Sequence, residues 1–270
     1  MATRITEAAA IGQTGTAVSR FGLLLQANLV MYVRNRTALF WSLAFPIALI
    51  LLFGSIFGNQ SGAGKGVYIA FLTTGMIVLS LLANGLIGNA SAMAVWRERG
   101  ILRRIQSTPL PLWQFLLARI VTQGGIMVVQ AFVLVATSIL VFGAKYDALN
   151  LLIAIPSVIG GALLFMAFGQ AVAALARKVE TVNIITQVVY FPLMFLGGLM
   201  IPLAQLPDWL QAVGKYLPSA MMADLIRTPM VGQSLGQALA PSLPLPADLL
   251  GVVIYFAAAV FVAVRFFKWS

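Results

Sequence analysis

The sequence predicts an all-α membrane protein, and three observations carry that expectation. Residues of the AVILMFWYC set make up 61% of the 270-residue chain and charged residues only 9%. Soluble domains have about 45–50% apolar and about 25% charged residues, so seventeen cations and seven acids cannot cover a soluble surface of this size. Charge-free apolar runs recur along the chain, and a helix needs about 20 such residues to cross about 30 Å of hydrocarbon. These runs lack the strict alternation of barrel strands.

Residues 1–37 read as a cytoplasmic N-terminus followed by a helix in the membrane interface. Val18, Phe21, Leu25, Leu29 and Tyr32 recur at helical spacing, while Arg20, Gln26, Asn28, Arg34 and Arg36 fill the polar positions. Arg4 is followed by Glu7, Gln13 and Thr14 where an apolar segment should begin, so no cleavable signal peptide is expected.

Residues 38–270 read as a six-helix transmembrane domain. The charge-free runs are Ala38–Gly58, Val67–Val95, Ile120–Ala144, Ala148–Ala176, Thr181 to about Ala204, and Leu249–Val264. The corresponding helices are expected near 38–58, 67–95, 111–144, 148–176, 181–204 and 247–267. Asp248 and Arg265 are expected to snorkel from the ends of the last. Pro46, Pro156 and Pro192 should bend or loosen their helices. Thr73, Thr74, Ser80, Asn84 and Asn89, with Asn183, Gln187 and Tyr190, supply weak polarity. Most of these, and the pairs Gly124–Gly125, Gly160–Gly161 and Gly197–Gly198, read as helix-packing positions.

With six spans both termini share one side. The loops and termini of that side hold thirteen of the seventeen cations and three of the seven acids, so the net charge of +10 lies entirely there. The positive-inside rule makes that side the cytoplasm of a multi-pass cell-membrane protein. Topology thereby accounts for the basic balance, and nucleic acid is not an expected partner.

The composition also excludes chemistry. The chain has no cysteine and no histidine, which removes disulfides, thiol nucleophiles, imidazole bases and the usual zinc ligands. The apolar runs contain no ionisable residue for a proton relay or an aspartyl dyad. No catalytic residue and no metal site are expected. Gly62–Gly66 resembles a fragment of a phosphate loop, but Asn59 stands where its first glycine belongs and Gly66 replaces the magnesium-binding hydroxyl.

Between the second and third runs lies a basic turn, Trp96 to Leu110. Ile101, Leu102 and Ile105 form an apolar stripe among Arg97, Arg99, Arg103 and Arg104, and Pro109 gives a sharp exit. A short helix over 97–107, pressed into a groove on a partner, suits this pattern.

The residues Glu98-Arg-Gly-Ile-Leu-Arg-Arg, then Ser-Thr-Pro109-Leu-Pro and Leu117-Ala-Arg119, resemble the signature of type-2 ABC export permeases. Gly197-Gly-Leu-Met-Ile-Pro202, Leu206-Pro-Asp-Trp-Leu210 and Tyr216-Leu-Pro218 resemble that family's fifth span running into an outer re-entrant hairpin, here 205–230. Ile101 replaces the family's usual threonine, and Ala118 its usual glycine. The resemblance implies the type-2 ABC exporter fold and a homodimer, or a close heterodimer, of permeases in the bilayer carrying two cytoplasmic ABC ATPase subunits. ATP and magnesium would bind those subunits, with no cofactor on this chain. It further implies that Arg97, Glu98, Arg99, Gly100, Leu102, Arg103 and Arg104 couple to the ATPase. The pathway is expected at the dimer interface between the second and fifth spans, with Asn84, Met194 and Phe195 facing it. Such an uncharged pathway suits export of a drug or lipid-like molecule from a bacterial cytoplasm. Polysaccharide or glycolipid export, and a channel or scaffold without ATPase partners, are the alternatives.

Overall fold

The computed structural model of the chain describes residues 17–34, 36–57, 65–102, 112–176, 178–231 and 243–266. Every described element is helical, with no strand among the described residues. In chain order they are α1 (Ala17–Arg34), α2 (Arg36–Phe57), α3 (Lys65–Leu82) and α4 (Asn89–Glu98), the last two joined by a π-helical turn over Ala83–Gly88. Then follow α5 (Leu112–Phe142), α6 (Ala148–Leu175), α7 (Val179–Leu196), a 3-10 turn at Leu203–Gln205, α8 (Asp208–Gly214), α9 (Pro218–Val231) and α10 (Leu245–Phe266).

Among the described residues, five helical runs are long and apolar enough to cross a membrane: Gly66–Glu98, Leu117–Phe142, Ala148–Leu175, Val179–Leu196 and Leu245–Phe266. Phe21–Arg34 and Ser42–Phe57 are shorter apolar helical stretches. The run from Gly66 is the hub, 83% buried across its most apolar window, with α2, α5, α6 and α9 packed around α3. Its 33 residues reach about 50 Å, well beyond a hydrocarbon core of about 30 Å. The run is therefore longer than a membrane span requires.

The polar residues of α3 cost the core little. Thr73, Thr74 and Ser80 each donate their hydroxyl back to a carbonyl three or four residues earlier. One close helix approach is where the π turn meets α6, at Gly169 against Gly85, where a β-carbon on Gly169 would collide with the Gly85 carbonyl. Gly161 packs against Leu81 and Met222, whereas Gly124, Gly125 and Gly160 face open space rather than a packed neighbour.

Three expectations change. The fifth apolar run is helical only to Leu196, and the chain turns at Gly197–Gly198 well short of Ala204. Glycine ends the helix although hydropathy continues. The expected helix over 97–107 starts later, because Arg97 and Glu98 are the last residues of α4 and the turn comes at Arg99–Gly100. Gly100 has φ +66°, a left-handed conformation that glycine adopts without strain. Ile101 and Leu102 resume a helical conformation, and Arg103 and Arg104 lie outside the described residues. Asp248 does not snorkel: it is 1% exposed, and neither carboxylate oxygen has a hydrogen-bond partner.

Candidate coupling and translocation sites

At the basic end, α4 meets the ends of three other helices. The guanidinium of Arg97 donates to two carbonyls at the C-terminus of α6, Nη2 to Ala173 at 2.8 Å and Nη1 to Ala176 at 2.9 Å. The neighbouring Glu98 accepts from the first backbone N–H of α7, Val179, at 2.7 Å. Each charge thus meets the helix terminus of opposite partial charge. Leu102 is buried and packs with Met93, Ala173 and Trp96. Of the residues expected to dock an ATPase, Arg97, Glu98 and Leu102 therefore engage this chain's own helices, while Arg99 is exposed.

Beside them Arg119, near the start of α5, is buried. Its Nε donates to Asn89 Oδ1 at 3.0 Å, and its guanidinium lies 4.3 Å over the Trp96 ring. The Asn89 amide donates in turn to the Met166 carbonyl at 2.9 Å, tying α4 to α5 and α6. The role of Arg119 was missed at the sequence level, where it stood only as the last residue of a family motif.

The three residues expected along the pathway do not converge within one chain. Asn84, in the π turn, donates to Gln130 Oε1 at 3.1 Å, and Gln130 donates to the hydroxyls of Tyr32 on α1 and Ser42 on α2. Met194 is buried in the main core. Phe195 alone lies on an open surface, stacked on Phe191 with ring centroids 6.4 Å apart. That surface is a stripe on α7 in which Ile184 is 65% and Val188 66% exposed. Asn183, Ile184, Gln187, Val188 and Phe191 line an open groove of about 470 Å³ there. Ser91 of α4 donates to Asn183 Oδ1 at 2.7 Å, fixing the groove's basic end. The spacing 183, 187, 191, 195 was the signal that could have found this face.

At the hairpin end α9 packs on α3, α6 and α10. Arg227, 2% exposed, pairs with Asp224 Oδ1 at 3.1 Å, donates to Thr74 Oγ1 at 3.3 Å and lies 4.2 Å over the Phe71 ring.

The sequence pattern of the ABC-2 type transporter family matches residues 19–231. The chain is 31% identical to the transport permease YvfS of Bacillus subtilis over 198 residues, covering 72% of this chain and 78% of YvfS. It is 32% identical to Nodulation protein J of Rhizobium leguminosarum over 202 residues, covering 71% and 74% of the two chains. It is 23% identical to the inner membrane transport permease YadH of Escherichia coli over 193 residues, covering 69% and 74%.

Proposed function

The chain belongs to the ABC-2 type transporter family, and we propose that it is the permease subunit of an ATP-driven exporter of hydrophobic or amphipathic molecules. Family membership implies an ABC ATPase partner in general; in this reading two copies bind the basic end from the cytoplasm, and they alone hold ATP and magnesium. The permease itself has no catalytic group. Helix α2 serves as a sixth span, which leaves both termini cytoplasmic, and the α8–α9 hairpin re-enters the outer half of the bilayer.

The observation that carries the reading is the α7 stripe. An exposed row of Ile184, Val188, Phe191 and Phe195, edged by Asn183 and Gln187, is apolar with sparse amides. Such a surface suits ligands with an apolar body and a few polar groups. Two copies of the chain facing each other across α7 would enclose a pathway, with Phe195 on its wall and Asn84 and Met194 supporting it from behind. The exposed arginine of the basic turn, Arg99, together with Arg103 and Arg104, would meet the ATPase.

Export of a glycolipid is a second reading, favoured by one observation. The stacked Phe191–Phe195 pair offers ring faces on which a sugar could lie.

Co-expression with a candidate ABC ATPase subunit, reconstitution in nanodiscs and measurement of substrate-stimulated ATP hydrolysis test the proposal. A permease that retains no ATPase and moves solute without ATP would be a channel or scaffold instead. Cysteines placed at Arg103 and Asp208 should react with an impermeant reagent from opposite faces; reaction from one face would overturn the orientation.

A further inference from the structure

The junction between α6 and α7 is held from outside by side chains of α4. Lys178, at the N-cap of α7, makes no side-chain capping bond. Two consecutive residues from elsewhere in the chain take over that work. Arg97 binds the carbonyl end of α6 and Glu98 the amide end of α7, at 2.8–2.9 Å and 2.7 Å. Both sit at the last turn of α4, directly before the basic turn, and Leu102 beyond that turn is buried against the end of α6. Nearly two helical turns back along α4, Ser91 binds Asn183 on the groove-bearing helix. Helix α7 is thus held to α4 at two points along its length, both at its basic end.

We propose that Arg97 and Glu98 form an internal clamp that carries motion of the basic turn to α7, with Glu98 as a positioning residue for the groove rather than a contact to the ATPase. The inference rests on the proposed ATP-driven function and deepens it: α4 and α7 travel as one body when the partner pulls on the basic turn. The chemistry is specific. A carboxylate oxygen at the first amide of a helix satisfies an orphan donor and complements the positive helix end, and glutamine retains the acceptor without the charge.

The first arm needs no ATPase. The chain contains no cysteine, so Ser91→Cys with Asn183→Cys reports the α4–α7 alignment in nanodiscs without background. Disulfide formation should slow markedly when Glu98→Ala is added and proceed at near the parent rate with Glu98→Gln. An unchanged rate in Glu98→Ala removes the clamp. The second arm uses the permease–ATPase complex, each variant checked for monodisperse elution. Glu98→Ala should keep the ATPase bound and hydrolysing ATP but lose most transport, with Glu98→Gln restoring it. Release of the ATPase by Glu98→Ala would make Glu98 a docking residue. Equal loss in Glu98→Gln would assign its role to charge alone. Oxidising the 91–183 pair should leave transport at the level of the reduced double-cysteine variant itself; transport stopped by oxidation and restored by reductant would show that the helices must slide. A parent complex without ATP-dependent transport would sink the function itself, while the first arm would still report on the clamp.

Discussion

The two ends of the central helix both bury charge, and they handle it differently. At the basic end Arg97, Glu98 and Arg119 meet helix termini, an amide and an indole face, each with geometry fixed by a neighbouring helix. At the hairpin end, about 35 Å away along the helix from Thr74 to Arg97, one arginine stands among two buried acids. Arg227 pairs with Asp224, and Asp248 is left without a partner. At the basic end every charged group has its own partner on a neighbouring helix, which makes a rigid joint. At the hairpin end the two acids outnumber the one arginine, and the site is held together by that single counter-ion.

The largest effect should follow from removing that counter-ion. Arg227→Ala leaves Asp224 unpaired in the protein interior, which should cost about 3–5 kcal/mol; thermal unfolding followed by tryptophan fluorescence would read it. Arg227→Met with Asp224→Leu should recover much of the loss, because it removes both charges together. A double variant as unstable as the single would mean that shape rather than charge governs this end.

Arg119→Ala comes next, at about 2 kcal/mol for the lost charged hydrogen bond, with Asn89 left half-satisfied. A loss as large as that of Arg227→Ala would erase the contrast between the two ends. Asp248→Asn should go the other way and raise the unfolding midpoint by about 1 kcal/mol equivalent, since an unpartnered carboxylate is costlier to bury than an amide. A fall of that size would show that Asp248 is paired in the assembled transporter. Smallest should be Phe191→Ala, within about 0.5 kcal/mol of the parent in stability because its ring is half exposed. Its effect should appear in the preference among transported compounds; unchanged preference would take the stripe out of the pathway.

Much of this architecture was legible in the sequence because hydropathy is local. Helices Ala148–Leu175 and Leu245–Phe266 begin and end within a few residues of their apolar runs, since burial in lipid asks only for length and apolarity. What escaped was set by direction around a helix or by distant neighbours. Arg97 and Glu98 looked like outward-facing charges of a basic turn, and only the position of α6 and α7 shows which way they point. Asp248 at the head of an apolar run looked free to reach water, until α9 is seen to cover that end. Met194 and Phe195 are adjacent in sequence, so on a helix they cannot share one face, and the structure sends one inward and the other outward. The stop at Gly197 was legible in principle, as two glycines followed by Pro202 inside an apolar run.

The π turn at Ala83–Gly88 acts on everything beyond it as a phase setting. A π turn holds about one residue more than an α turn, and one residue more rotates all later side chains by about 100° about the axis. The carbonyl of Asn84 finds its donor in Gln123 of α5, at 3.2 Å, so the widened turn is anchored from outside. Were those six residues to tighten into regular α-helix, Arg97 and Glu98 would swing by roughly a quarter of a revolution away from the α6–α7 junction. Which way this helix aims its terminal charges is therefore decided some ten residues upstream, by how the backbone counts.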